Sequence, residues 1–534
     1  MKKSYNKNRY ILAILLFVAI YCVLFSKMVY FGTIVPASEH AAMSPVGMHR
    51  PLILDRNGKI LAIDIKAYSL YAEPRRITDI DEVAEKVHRI IPEIPLQTLH
   101  KKLSGQRRFI WLARQLTPSV KSRLMAEGIP GIGFRTELQR AYPAGRTTSH
   151  IVGLTNIDNT GVAGLEKWID GQGIADIRNA GFSVPEHFAP VVTSIDLRVQ
   201  HALHDELSKA LVKYGAAGVG GLILNIKTGE ILGLVSLPDF DPNTPAEIHL
   251  ADRLNRITAS ASEMGSIIKT FTTAMAVEHA GAGLDTIYDA TNPIRVGNQL
   301  VRDYFGKKRP LTLEEVFLFS SNIGSAQEAL SVGVEGHRNF LIRSGLLERA
   351  ALELPEIAKP MEPRHWSVPT SITAAFGHGF ATTPLQTAAG IGGILNGGVL
   401  VTPTLLKRDS DHSALPARRL VTERTSAIVR HLYRLSAEKG SGRRANISGL
   451  NVGGKTGTAE KVVNGRYAKN RNFNVFAAAM PMDDPIYVYL VIVDDPAPKS
   501  ATRGQTAGVT AAPVAGEIIR KTFTFLGMEP RIGI

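Results

Sequence analysis

Gly265-Ser266-Ile267-Ile268-Lys269, then Ser320-Ser321-Asn322, then Lys455-Thr456-Gly457-Thr458 occur in that order along the 534-residue chain. A serine hydroxyl is a poor nucleophile until a neighbouring base removes its proton, and helix residues three apart share a face. Gly265 breaks the preceding segment and Ile267 to Ala280 reads as an apolar helix, which places Ser266 at a helix N-terminus with Lys269 within reach. The positive end of the helix dipole favours negative charge developing there. Lys269 acts as a base only when neutral, a state that burial beside an apolar helix face favours by lowering its pKa.

Leu311 to Phe319 reads as a second helix that runs into Ser320, Ser321 and Asn322. Ser320 is then placed to relay the leaving-group proton, and Asn322 to hold Lys269 and a substrate amide. Beyond the third element come two strand-like runs, Phe473 to Ala479 and Ile486 to Val493, separated by a turn at Asp483, Asp484 and Pro485. Lys455 with the hydroxyls of Thr456 and Thr458 suits a substrate carboxylate, and the backbone N–H groups of Ser266 and Thr458 suit an oxyanion hole. The pattern is that of an acyl-transfer site. Each piece also recurs elsewhere: Ser-x-x-Lys at Ser4/Lys7 and Ser436/Lys439, and Lys-Thr-Gly at Lys227. Order and context select among them, since Lys227-Thr228-Gly229 lies between two apolar runs and reads as a hairpin turn.

Tyr10 to Phe25 is an unbroken apolar run that continues to Phe31 past Ser26 and Lys27, long enough to span a bilayer if Lys27 snorkels. Lys2, Lys3, Lys7 and Arg9 precede it, which puts the N-terminus in the cytoplasm and the rest outside. A cleaved signal peptide is the competing reading, but no small-residue cleavage site follows the run directly. The single cysteine, Cys22, lies inside the run, so no disulfide holds the exported part. The net charge of +14 is scattered and accompanied by no nucleic-acid motif; it fits an anionic membrane surface or wall polymer. No cofactor is expected and no metal: His378, between two glycines, has no second histidine at ligand spacing and is read as ordering a loop.

The three elements resemble those of the penicillin-recognising serine transferases. Three further stretches narrow the resemblance to the class B penicillin-binding proteins. They are Arg50-Pro51-Leu52-Ile53-Leu54-Asp55-Arg56-Asn57-Gly58; Arg140-Ala141-Tyr142-Pro143-Ala144-Gly145 with His150, Gly153, Asp158, Gly161, Gly164 and Glu166; and Phe376-Gly377-His378-Gly379 with Thr382 to Gln386 and Asn396-Gly397-Gly398. Pro51, Asn225 and Met264 depart from that family's usual glycine, aspartate and proline, and none is a catalytic side chain.

The resemblance implies an α+β chain with a cytoplasmic tail over 1–9, a transmembrane anchor over 10–31, an elongated pedestal of the dimerisation type over 32–190 and a transpeptidase domain over 191–534. The last is expected to hold an antiparallel sheet flanked by helices, with an all-helical insert between about Gly265 and Asn396. Implied too is a peptidoglycan D,D-transpeptidase of the inner membrane, with a periplasmic catalytic domain. Ser266, Lys269, Ser320 and Asn322 would be catalytic, and Lys455, Thr456, Gly457 and Thr458 would bind substrate. Implied partners are peptidoglycan stem peptides, lipid-linked precursor polymer, β-lactams, a polytopic membrane glycosyltransferase and other division proteins, with no nucleic acid. Tyr68 to Pro74 and the moderate length favour a septal over a lateral-wall role. A hydrolase, or a wall-binding scaffold or β-lactam sensor, remains the alternative. The Arg140 to Glu166 stretch is read as a packed junction, at which Glu166→Gln is expected to move thermal stability by only a few degrees.

Overall fold

The computed structural model describes residues 7–33, 49–105, 107–174, 188–297, 299–408, 416–463, 465–497 and 506–530. The Ser4 decoy, residues 1–6 of the expected tail and residues 34–48 of the expected pedestal lie outside them. Lys7–Thr33 is one helix that exposes Ile11, Leu12, Phe17 and Phe25. Among the described residues no helix is long and apolar enough to cross a membrane.

The long strand Ile60–Ala72 centres the first unit, paired antiparallel with Ile132–Ala141 along one edge and with Ile110–Leu116 along the other. Helices Ile80–Ile90, Leu96–Leu103 and Pro118–Ala126 close its core around Leu70, Val87, Leu99 and Leu124. The first begins where Asp79 accepts the Glu82 N–H, an ordinary N-cap. Ile53–Leu54 turns back antiparallel on the start of the long strand through a tight turn, in which Asp55 Oδ1 accepts the N–H groups of Asn57 (2.8 Å) and Lys59 (2.7 Å). Asp55 Oδ2 accepts Leu197 N–H at 3.2 Å, and Arg56 N–H donates to Ile195 O, so this turn also docks the first unit on the second.

The second unit is built on a five-stranded antiparallel sheet ordered Gly453–Val463, Arg466–Met480, Tyr487–Asp494, Gly218–Asn225, Ile231–Leu237. The strands Gly218–Asn225, Ile231–Leu237 and Tyr487–Asp494 are apolar on both faces because both faces are covered. Leu197–Tyr214 and Ala511–Thr522 pack on one face. On the other lie Lys269–Ala280, Pro384–Leu395 and Glu423–Lys439. Lys227-Thr228-Gly229 is the hairpin turn expected, and Asn225 serves it as an aspartate would, its Oδ1 accepting from the N–H groups of Lys227 and Thr228.

The insert is not all-helical. Ile287–Asp289 pairs with Pro310–Thr312, and Ile294–Val296 with Gln299–Val301. These three-residue strands are rich in β-branched side chains and bounded by turns, too short to nucleate a helix.

The Arg140 to Glu166 stretch is a junction, held by ions. Glu166, fully buried, accepts from Arg50 Nε at 2.7 Å and from Arg140 Nε at 2.6 Å. Arg50 also meets Asp170 at 2.7 Å, and Arg140 meets Asp64 at 3.0 Å. The small change expected for Glu166→Gln is therefore corrected. Removing the shared charge leaves two buried guanidiniums under-compensated, at a cost of about 3 kcal/mol. Calorimetry is expected to show a melting temperature lower by roughly 10 °C, and a shift within two degrees would mean that Asp64 and Asp170 suffice.

Candidate active site

Gly265 has φ +53°, and a Cβ there would stand 2.6 Å from Thr458 O, so only glycine lets the nucleophile turn pass this closely under the edge strand. A Cβ at Gly457 would likewise meet Met264 O at 2.3 Å. Ser266 lies in a 3₁₀ turn, Gly265–Ile267, and the α-helix begins only at Lys269, two residues later than the apolar pattern suggested. The turn still leads straight into the helix, and Lys269 Nζ lies 3.1 Å from the half-buried Ser266 Oγ.

Lys269 is 1% exposed. Burial first, and then the charge of Lys455, push its pKa well below the ordinary lysine value. Its amine donates to Ser320 O at 2.6 Å and to Asn322 Oδ1 at 2.7 Å. The orientation of the Asn322 amide follows from its surroundings, because its Nδ2 faces the Arg302 carbonyl, which can only accept, at 2.9 Å. Ser320 O and Asn322 Oδ1 can only accept, so when the amine is neutral they take its two N–H bonds, and its lone pair is left for the hydroxyls of Ser266 and Ser320, both at 3.1 Å. That is the arrangement of a base.

Ser320 ends the helix Leu313–Phe319, whose start is a Thr312/Glu315 capping box, in a left-handed conformation at φ 56°. There its hydroxyl stands 3.1 Å from Lys269 Nζ and 3.0 Å from Lys455 Nζ, bridging the two lysines. Ser321 caps the next helix, Asn322–Val332, through Gly324 N–H. Lys455, 1% exposed on the edge strand, has its pKa lowered by burial to about 7, and its ammonium sits 5.5 Å over the Phe317 ring. Thr456 and Thr458, on the opposite face of the strand from Lys455, already have partners: Ser441 Oγ at 2.6 Å and Ala507 N–H at 3.0 Å. Thr458 accepts in that bond, which leaves its own hydrogen to donate.

Two residues of this site carried no motif in the sequence. Asp303 accepts from Ser321 Oγ (2.8 Å), Asn322 N–H (2.6 Å) and Ile323 N–H (3.0 Å), fixing the helix start that presents Asn322. Glu328, fully buried, takes the Thr273 hydroxyl at 3.1 Å, and burial raises its pKa to about 8. An acid in the first turn of a helix is a legible signal, but Asp303 comes from a loop outside that helix.

The remaining candidates lie apart from this chemistry. His150 is half-buried with Nε2 2.7 Å from Arg253 O, and desolvation lowers its pKa. Asp158 pairs with Arg114 at the surface. Ser436 is buried within the helix Glu423–Lys439. His378 packs at tilted angles against Phe376 and Tyr467, at centroid distances of 5.5 and 5.9 Å.

The chain matches the penicillin binding protein transpeptidase domain over residues 219–520 and the penicillin-binding protein dimerisation domain over residues 46–168. It is 38% identical over 487 residues to a probable peptidoglycan D,D-transpeptidase FtsI of Caulobacter vibrioides, covering 89% of this chain and 81% of that one. With the probable peptidoglycan D,D-transpeptidase PenA of Neisseria gonorrhoeae it shares 30% over 504 residues, 90% of this chain and 85% of the relative. Identity to the peptidoglycan D,D-transpeptidase FtsI of Escherichia coli K12 is 28% over 512 residues, 91% and 85% of the two chains. Among solved structures, penicillin binding protein 2X from Streptococcus thermophilus superposes with a TM-score of 0.69 at 19% identity, over 90% of this chain and 80% of that one, which shows the shared fold. A serine–lysine pair under a sheet edge, on a chain matched by both domain models and by these relatives, makes this protein a member of the penicillin-binding protein transpeptidases.

Proposed function

We propose that the chain is a serine D,D-transpeptidase that cross-links peptidoglycan stem peptides during septal wall synthesis and that β-lactams acylate. The observation that carries the reading is the buried Lys269 amine, 3.1 Å from Ser266 Oγ and held by the acceptors Ser320 O and Asn322 Oδ1. Ser266 Oγ attacks the carbonyl of the penultimate D-alanine while its proton passes to Lys269. The C–N bond then breaks, and the released D-alanine takes a proton delivered through Ser320, whose hydroxyl bridges the two lysines. An amine of a neighbouring strand attacks the ester and restores Ser266. Asn322 orients Lys269 and the substrate amide, and the backbone N–H groups of Ser266 and Thr458 stabilise the oxyanion.

Lys455, with Thr456, Gly457 and Thr458, receives the terminal carboxylate. Since a bound carboxylate favours the ammonium, affinity for carboxylate-bearing ligands should fall as pH rises through about 7. Lys455→Ala is expected to slow acylation by such β-lactams by an amount fitting a charge-assisted hydrogen bond of roughly 1.5–3 kcal/mol, about tenfold to a hundredfold. Stopped-flow acylation rates check this, and unchanged rates contradict the pocket.

Residues 10–31 serve in this reading as a single-pass anchor in the inner membrane, supported by the apolar side chains that the Lys7–Thr33 helix exposes. Residues 1–9 are then cytoplasmic, with the pedestal over 32–190 and the transpeptidase domain over 191–534 in the periplasm. Glycan polymerisation falls to a polytopic membrane glycosyltransferase and its division partners. The test is the fate of a stem-peptide donor given an amine acceptor. Cross-linked dimer with one D-alanine released per bond supports the reading, and free acid alone makes the protein a hydrolase. Filamentation of depleted cells fits a septal role, and rounding a lateral one.

A further inference from the structure

We infer that the loop 302–309 is a docking surface for the glycan strand of the polymeric substrate, outside the cleft that takes the peptide. Tyr304 and Phe305 are 77% and 79% exposed, more than any other aromatic ring among the described residues, and form an edge-to-face pair at 4.7 Å. Two large rings kept in water on one loop are unfavourable unless something covers them. The loop is not a loose excursion. Asp303, next to Tyr304, holds Ser321 Oγ and the N–H groups of Asn322 and Ile323, and Arg302 O accepts from the Asn322 side chain. The rings are thus tied to the residue that orients the catalytic lysine.

Exposed Lys307 and Lys308 follow, and Lys307 Nζ sits 4.5 Å over the ring of Phe319, the residue before Ser320. Arg309 is committed to Glu315, at 2.7 Å. Flat aromatic faces beside ammonium groups match a chain of pyranose rings, whose C–H faces are apolar, hung with peptides that end in carboxylates. A bare peptide offers the carboxylates without the flat sugar faces. A protein partner would be expected to need a broader apolar surface than two rings.

This inference rests on the transpeptidase reading. The test uses the full-length protein with Tyr304→Ala/Phe305→Ala, and separately with Lys307→Gln/Lys308→Gln. The probes are glycan oligomers bearing stem peptides, stem peptide alone, and fluorescent penicillin. The aromatic variant is expected to bind glycan oligomers at least roughly tenfold more weakly while penicillin acylates it at the wild-type rate. The lysine variant should show a flatter salt dependence of oligomer binding. Unchanged oligomer binding overturns the inference, and so does equal weakening toward stem peptide alone. Lost complementation in cells with normal oligomer binding would assign the surface to a partner protein and overturn it as well. Failure of the wild-type protein to label with penicillin would instead strike the transpeptidase reading itself.

Discussion

Ser266→Ala is expected to abolish penicillin labelling and to lower cross-linking on the order of 10⁴-fold or more, with the melting temperature unchanged. One hydroxyl carries the covalent step. The residues that hold the turn around it are Gly265 and the Thr458 backbone, not the serine side chain. Ser266 Oγ forms one hydrogen bond within the site, to Lys269, so truncation leaves the fold intact and the amine still bound by Ser320 O and Asn322 Oδ1. Gel fluorescence after incubation with labelled penicillin reads the outcome. A variant that still labels would place the nucleophile elsewhere.

Lys269→Arg should be nearly as damaging, although it keeps a positive charge in place. A guanidinium stays protonated at any pH the protein survives, so it cannot accept the serine proton. It must also fit a site in which the native amine is 1% exposed and surrounded by Ser266, Ser320 and Asn322. The pH dependence gives a sharper check. Because burial and Lys455 hold the Lys269 pKa far below its ordinary value, more of the neutral base is present at a given pH than for an ordinary lysine, and it is lost as pH falls through that lowered pKa. Wild-type acylation should therefore decline toward acid, and the arginine variant should be slow at every pH. Near-normal acylation of Lys269→Arg would mean that another group takes the proton.

What could be read from the chain without its tertiary structure was what rests on local spacing. Ser266 and Lys269 lie three apart at the start of an apolar segment, and Ser320 to Asn322 follow the end of a helix; that Asn322 begins another was seen only in the structure. The turn at Lys227 was legible because Asn225, Gly229 and the flanking apolar runs set a hairpin by themselves. The run Phe473 to Ala479 lies within the longer observed strand Arg466–Met480, and Ile486 to Val493 matches Tyr487–Asp494 with a shift of one residue. The nucleophile helix was placed to start too early because a 3₁₀ turn and the first turn of an α-helix look alike in an apolar pattern, and the close approach of Thr458 to Gly265 favours the tighter one.

Contacts between distant residues decided the rest. Lys269 and Lys455 meet through Ser320 Oγ, a bridge that exists only because the sheet edge packs over the helical insert. The depressed pKa of both lysines follows from that burial and not from any neighbour in sequence. Asp303 lies in a loop with no motif and acts on a helix it does not belong to. Glu166 looked open to mild change because its partner Arg50 is 116 residues away. Sequence by itself determined the residue types of the acyl-transfer site and their order, since nucleophile, base and carboxylate binder are written into short local patterns. Tertiary structure decided which of these groups is desolvated and which charges share a buried site, because desolvation depends on what the whole fold brings to cover each atom.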